Sequence, residues 1–147
     1  MPRASCAGAA HAEGVNTELS YRECVDLLAS ESTGRVALCT PGGPVIVPVN
    51  YTVVADSIVF RTTPYSELGT HGWTSRLAFE VDRLDAEHRI GSSVVARGRG
   101  VMVEDREQLE LIRAFHDPHP WAPGARYLYI RLYWEELSGR HVVALAG

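Results

Sequence analysis

Val45-Ile46-Val47-Pro48-Val49-Asn50-Tyr51-Thr52-Val53-Val54-Ala55-Asp56-Ser57-Ile58-Val59-Phe60-Arg61 is the stretch that decides the fold. β-branched and aromatic residues dominate both halves, which suits a half-buried pleated surface. Ala55-Asp56-Ser57 makes a tight turn between them, so the strands Val45–Val54 and Ile58–Arg61 run antiparallel. Pro48 has no backbone N–H to give a neighbour, which marks an edge, a bulge or a bend in the first of them. Upstream, Pro41-Gly42-Gly43-Pro44 is a turn on composition, and Arg35-Val36-Ala37-Leu38-Cys39-Thr40 before it reads as another strand. Three strands in succession at this spacing form an antiparallel meander.

Working outward, Ser20 followed by Glu23 matches a capping box and predicts a helix from Tyr21 to Ala29, with Cys24, Val25, Leu27 and Leu28 on its apolar face. Residues 1–15 are Ala/Gly-rich without periodicity and are expected to form a disordered tail ahead of a single domain over 16–147. Downstream, Leu77 to Leu84 and Ser93 to Glu104 alternate apolar with polar as half-buried strands do. A hairpin centred between Arg89 and Ile90 puts Glu80 opposite Arg99 and Asp82 opposite Arg97, with Phe79 and Val81 facing Gly100 and Gly98. Those charges are read as structural. Glu107 to His116 carries Leu111, Ile112 and Phe115 on one face of a short helix. Pro118, Pro120 and Pro123 then make a rigid loop around Trp121, a strand runs from Tyr127 through Leu132, and Gly139 to Val143 closes the chain. The fold class is mainly β: six antiparallel strands with a few short α-helices, in a small barrel.

Composition narrows the function. A 147-residue chain suits one domain, able to bury roughly two-thirds of the surface its unfolded form exposes. A net charge of −4 argues against nucleic acid as the partner. No apolar run reaches membrane-spanning length and no secretory signal is visible, so a cytoplasmic protein is expected. Cys6, Cys24 and Cys39 are too few and scattered for a disulfide framework or zinc knuckle, and the latter two are read as small core residues. The chain contains no lysine, which excludes a lysine Schiff base and the usual P-loop; any anion must be held by arginine, hydroxyls or backbone N–H groups.

No nucleophilic triad or Gly-x-Ser-x-Gly elbow is present, and no catalytic acid or base is assigned. His116 and His119 lack helical spacing and a companion carboxylate motif, so no metal is expected. Tyr127, Tyr129, Tyr133 and Trp134 either pack in the core, form a dimer surface or wall a planar ligand. Arg61-Thr62-Thr63, at the end of an apolar strand, is the constellation that points to a ligand: a guanidinium and two hydroxyls suit a phosphate. The alternative is an ion pair between Arg61 and Glu67 across the turn.

Gly34-Arg35-Val36-Ala37, Val47-Pro48-Val49-Asn50-Tyr51, Phe60-Arg61-Thr62, Phe79-Glu80-Val81-Asp82, Gly98-Arg99-Gly100, Pro120-Trp121-Ala122-Pro123-Gly124 and Gly139-Arg140 occur in this order. The ordered set resembles the pyridoxamine 5'-phosphate oxidase-like flavoproteins, in their short bacterial and actinobacterial branch, over Leu19 to Val142. The resemblance implies a split β-barrel, a homodimer with two cofactor sites at the interface, and FMN or a deazaflavin coenzyme. Carried over, Arg61, Thr62, Thr63 and Ser66 are phosphate ligands and Val47, Val49 and Asn50 are ring contacts. Ser93 and Trp121 lie near the site, and Arg131 reaches in from the second subunit.

Two positions depart from the family pattern. Glu67 in Tyr65-Ser66-Glu67-Leu68 stands where a phosphate-binding lysine is usual, and Ser92 stands where Gly-Trp-Ser-Val has tryptophan. Pyridoxamine 5'-phosphate oxidation itself is not expected, because that lysine is missing and the chain ends before the oxidases' C-terminal extension. The resemblance thus implies a flavin- or deazaflavin-dependent oxidoreductase acting on a small organic substrate. The alternative is a non-catalytic split-barrel dimer that has lost its flavin and sequesters a ligand; a weaker one is haem binding through His71 or His88.

Overall fold

The computed structural model describes residues 14–144. Its elements follow in the order β1 (Val15–Glu18), α1 (Tyr21–Ser30), β2 (Thr33–Thr40), β3 (Gly43–Val54), β4 (Ser57–Thr62), α2 (Glu67–His71), β5 (Arg76–Asp85), β6 (Ile90–Met102), α3 (Arg106–Phe115) and β7 (Leu128–Val143). The sheet order is β1-β7-β4-β3-β2-β5-β6, and β6 pairs back onto β7. Six strands therefore close a ring, all pairs antiparallel, and β1 is a seventh strand lying along the end of β7.

The capping box forms as the sequence predicts: the Glu23 N–H donates to Ser20 Oγ at 3.2 Å and the Ser20 N–H donates to the Glu23 carboxylate at 3.1 Å. α1 then buries Cys24, Leu27 and Leu28 against the sheet. The predicted meander is β2–β3–β4. Inside the ring, Leu28, Val36, Ile58, Phe60, Phe79, Val81, Val94 and Leu132 form the main core, each burial of a side chain this size contributing about 1.5–3 kcal/mol. The ring of Tyr51 meets that of Phe79 edge-on at 4.7 Å. A smaller cluster of Val59, Val103, Ile112 and Tyr129 sits on the opposite face of β4, under α3. β4 is thus covered on both sides, which is why Ile58, Val59 and Phe60 are apolar in succession rather than alternating.

Several expectations change. The tail expected over 1–15 lies outside the described residues except for Gly14 and Val15, and Val15 already begins β1. β1 has all four side chains exposed, so no alternation marks it; backbone pairing with Arg140–Val143 holds it. The strand expected over Tyr127–Leu132 begins at Leu128 and runs on through Gly139–Val143 as one 16-residue strand, β7. α3 buries Ile112 but leaves Leu111 and Phe115 exposed, and Cys39 is exposed while Cys24 is buried.

The β5–β6 hairpin pairs four residues away from the expected register: Glu80 faces Val95 and Asp82 faces Ser93, with Phe79 opposite Ala96 and Val81 opposite Val94. The turn decides this. Asp85 accepts from the His88 N–H at 3.0 Å and Arg89 adopts φ 56°, so the chain reverses before Ile90. An even offset keeps each side chain on its face, and the acids find another cation. Arg35, opposite Glu80 on β2, donates through Nε to Glu80 at 2.6 Å and reaches Asp82 at 3.1 Å. Arg97 pairs with Glu136 of β7 instead.

One feature of the sheet positions the site. β3 pairs with β2 through Thr33–Asn50 to Thr40–Gly43, but with β4 only from Tyr51–Phe60 to Val54–Ser57. Beyond Tyr51 the two strands part, leaving Val47 to Asn50 on one side of a cleft and Arg61 and Thr62 on the other. Tyr51 N–H donates to Ser32 on the β2 side, so by alternation Pro48 turns its missing donor toward the cleft. A proline there leaves no orphan N–H facing the gap.

Candidate functional site

The cleft between β3 and β4 holds a cavity of about 290 Å³ lined by Val47, Pro48, Val49, Asn50, Arg61, Thr62, Leu68, Pro120, Ala122 and Arg126. Five of the residues singled out from sequence meet here: Val47, Val49, Asn50, Arg61 and Thr62. Its walls are mostly apolar, with guanidinium groups at Arg61 and Arg126.

Arg61 lies directly opposite Tyr129 across the β4–β7 pair, so both project from one face. Its guanidinium carbon stands 5.0 Å from the Tyr129 ring centroid, and Arg113 covers the same ring at 5.3 Å. Arg61 Nε donates to the Arg126 carbonyl at 3.0 Å, and Nη1 reaches Asp117 Oδ1 at 3.4 Å. The Tyr129 hydroxyl donates to that same Asp117 oxygen at 3.1 Å. The ion pair considered from sequence, Arg61 with Glu67, is replaced by Arg61 with Asp117. Glu67 instead faces His71 one helical turn on, at 3.8 Å, and does not line the cavity.

Thr62 is buried, and its Oγ1 lies 2.7 Å from Ser66 Oγ. Ser66 caps α2, accepting from the Gly69 N–H at 3.0 Å and donating to the Thr63 carbonyl at 2.8 Å. Thr62, Thr63 and Ser66 therefore form one hydrogen-bonded turn at the end of β4. Asn50 ties the proline-rich loop to β3: its Oδ1 accepts from the Trp121 N–H at 2.9 Å, while Nδ2 donates to Thr33 Oγ1 at 3.1 Å. Trp121 itself is 77% exposed beside the cavity residues Pro120 and Ala122.

Ser93 and Arg131 do not join this group within the chain. Ser93 lies far along β6, between Asp82 and Arg140. Arg131 donates to Ser57 Oγ at 2.6 Å and to the Val54 carbonyl, and stacks over Tyr133. Ser92, the other departure noted above, has its Oγ 2.7 Å from His141 Nδ1. His88 pairs with Asp85 at 2.7 Å. Among the described residues no three of His, Cys, Asp and Glu gather into a metal-binding set, and no helix is long and apolar enough to cross a membrane.

Arg126 and Asp117 were not read as site residues from the sequence, and Tyr129 only as one of several aromatics that pack in the core, form a dimer surface or wall a planar ligand. Arg126 sits in a loop without periodicity, 65 positions from the arginine it accompanies, and no local signal ties the two. Its Nε is buried with no hydrogen-bond partner among the described residues. Such an orphaned cationic donor beside an apolar wall fits an anionic group on a planar ligand.

A larger hollow of about 530 Å³ lies between the end of α1, the second half of β3 and the segment after α3. Two of its hydroxyls are already engaged: Tyr51 donates to the Leu28 carbonyl at 2.6 Å and Thr52 to the His116 carbonyl at 2.5 Å. Burial raises the Tyr51 phenol well above its usual value, so it stays a donor there. The smaller cleft has the unspent donor and is the better ligand site.

Comparison with known proteins agrees with this placement of the strands. Residues 20–141 match the family model described as pyridoxamine 5'-phosphate oxidase. An uncharacterized protein of Mycobacterium tuberculosis is 33% identical over 132 residues, covering 86% of each chain. The FAD-binding protein of Mycobacterium smegmatis superposes with a TM-score of 0.74 at 27% identity, covering 86% of this chain and 98% of that one. A Corynebacterium glutamicum protein provisionally named a pyridoxamine 5'-phosphate oxidase superposes with a TM-score of 0.76 at 26% identity, covering 90% and 96%.

Proposed function

This chain belongs to the pyridoxamine 5'-phosphate oxidase family, and from that membership we propose that it is a flavin-dependent oxidoreductase that works as a homodimer on a small organic substrate. The observation that carries the proposal is the parting of β3 from β4, which leaves an apolar wall at Val47 to Val49 facing the guanidinium of Arg61. A planar apolar ring with an anionic tail matches that wall. FAD binding by the Mycobacterium smegmatis relative supports a flavin over other ring systems; FMN and a deazaflavin are the other coenzymes of the same shape.

The flavin supplies the hydride chemistry when bound. The residues of the chain bind and orient it. Val47 and Val49 exclude water from one face of the ring, with Asn50 fixing the Trp121 loop at the rim. Arg61, held in place by Asp117 and Tyr129, and Arg126 form the cationic end of the cleft, and the Thr62–Thr63–Ser66 turn shapes the wall beside it. Preorganisation of this kind spares the ligand the cost of ordering those side chains on binding. The cavity of about 290 Å³ lies at the small end of ligand pockets, roughly 300–1,000 Å³. A second copy of the chain completes it, and Arg131 would enter the site from there.

Titration of the purified protein with FMN, FAD and a deazaflavin coenzyme, followed by flavin absorbance and fluorescence, tests the reading. Binding of at least one at tens of micromolar or below is expected, with the bound coenzyme undergoing reduction and reoxidation. Absence of binding by all three overturns it. That outcome favours a split-barrel dimer without a flavin, the alternative raised by Glu67 and Ser92. Neither residue lines the cavity.

A further inference from the structure

We infer that Arg126 is the anion-binding cation of this cleft, the group that takes the phosphate of a flavin nucleotide, while Arg61 is largely committed to the protein itself. The inference rests on the flavin reading above and deepens it.

The two arginines differ in unspent bonding capacity. Arg61 lines the cleft, but its Nε is given to the Arg126 carbonyl, its Nη1 faces the Asp117 carboxylate, and its face lies on Tyr129. One negative charge already sits within 3.4 Å of it. Arg126 lines the same cavity and has no ion pair among the described residues, and its Nε is buried without a partner. The other buried guanidinium nitrogen without a hydrogen bond, Arg35 Nη2, still lies 3.1 Å from Asp82. Arg126 has no such relief. A buried cationic donor left empty costs free energy that a ligand oxygen recovers. The Arg61 bond to the Arg126 carbonyl also pins the loop, so Arg126 is presented rather than left to swing. A ring that carries a phosphate uses both this donor and the apolar wall, whereas a phosphate without the ring uses the donor alone.

The test compares affinities of FMN, FAD and riboflavin for the wild-type protein and for Arg126→Gln, Arg126→Lys and Arg106→Gln. Arg106 is an exposed control on α3. Arg126→Gln is expected to weaken FMN by about 10- to 100-fold, the loss of a charge-assisted hydrogen bond, with riboflavin unchanged and the salt dependence of FMN binding reduced. Arg126→Lys recovers part of the loss, and Arg106→Gln changes nothing. A matching loss with FAD assigns Arg126 to the phosphate next to the ribityl chain, whereas a loss with FAD alone assigns it to the outer phosphate. FMN and FAD binding unchanged in Arg126→Gln overturns the inference and leaves the flavin site standing. Equal weakening of riboflavin also overturns it, because Arg126 then only holds the loop. If none of the three binds the wild-type protein, the flavin reading fails and this inference with it.

Discussion

At the scale of single residues, polar groups in this protein act through what they are already bonded to. Tyr51 is the clearest case. Its ring is core, packed edge-on against Phe79, and its hydroxyl donates to the Leu28 carbonyl at the end of α1. Burial raises its pKa above the ordinary 10.0, with Glu31 adding to the shift. The folded state therefore keeps a proton that the unfolded chain releases. This contribution to stability is complete below pH 10, the unfolded value, and is lost as pH rises from there toward the folded pKa. Tyr51→Phe leaves a carbonyl unpaired and is expected to cost about 1–2 kcal/mol at neutral pH. Urea denaturation from pH 7 to 11 checks both points: wild-type stability declines above pH 10, and the variant declines less steeply. The same logic governs Arg61. The residue type was readable as an anion ligand, but its partners, Asp117 and Tyr129, lie far along the chain and carry no local signature.

Between elements, backbone approach rather than side-chain pattern sets the geometry beside the cleft. Gly69 in α2 shows this: a Cβ there stands 1.9 Å from the Thr63 carbonyl oxygen. The turn Thr63–Ser66 packs onto the helix that Ser66 caps, and only glycine permits it. Gly69→Ala must push the turn away, at a cost of about 1–3 kcal/mol, and it moves the Thr62 and Leu68 walls of the cavity with it. The expected result is a lower midpoint in thermal melting together with weaker coenzyme binding. A variant that melts like the wild type would show that the approach is looser than the structure has it. Gly98 plays the corresponding part on β6, where a Cβ stands 1.9 Å from the Tyr133 carbonyl, at the register shift that lets β7 run the length of the ring.

For the whole molecule, the exposed apolar residues argue for a second copy. Phe115 is 76% exposed, Tyr127 73% and Ile46 69%, and Trp121 stands in the open beside the cavity. Large exposed aromatic groups of this kind suit an interface core. Light scattering after size exclusion is expected to give twice the mass of the chain, and Trp121→Asp with Phe115→Asp to shift it toward the monomer and weaken coenzyme binding in parallel. A wild-type monomer that binds coenzyme fully would remove the second copy from the site. The sequence by itself determined the elements whose pattern is local. The Ser20–Glu23 capping box, the strands flanking Ala55-Asp56-Ser57 and the alternation of Leu77 to Leu84 are set by near neighbours along the chain. The family also was legible, as an ordered set of short motifs over Leu19 to Val142, and the family model matches residues 20–141. The tertiary structure decided what depends on distant packing. Asp85 and Arg89 closed the β5–β6 turn early, and Arg35 took the acids that had been matched to Arg97 and Arg99. β3 stays apart from β4 before Tyr51, and the loop carrying Arg126 came to rest against Arg61. Local patterns specify which way a side chain faces, because they repeat within a few residues. Which distant group it faces is settled only when the ring closes, so the cleft and its second arginine belong to the fold.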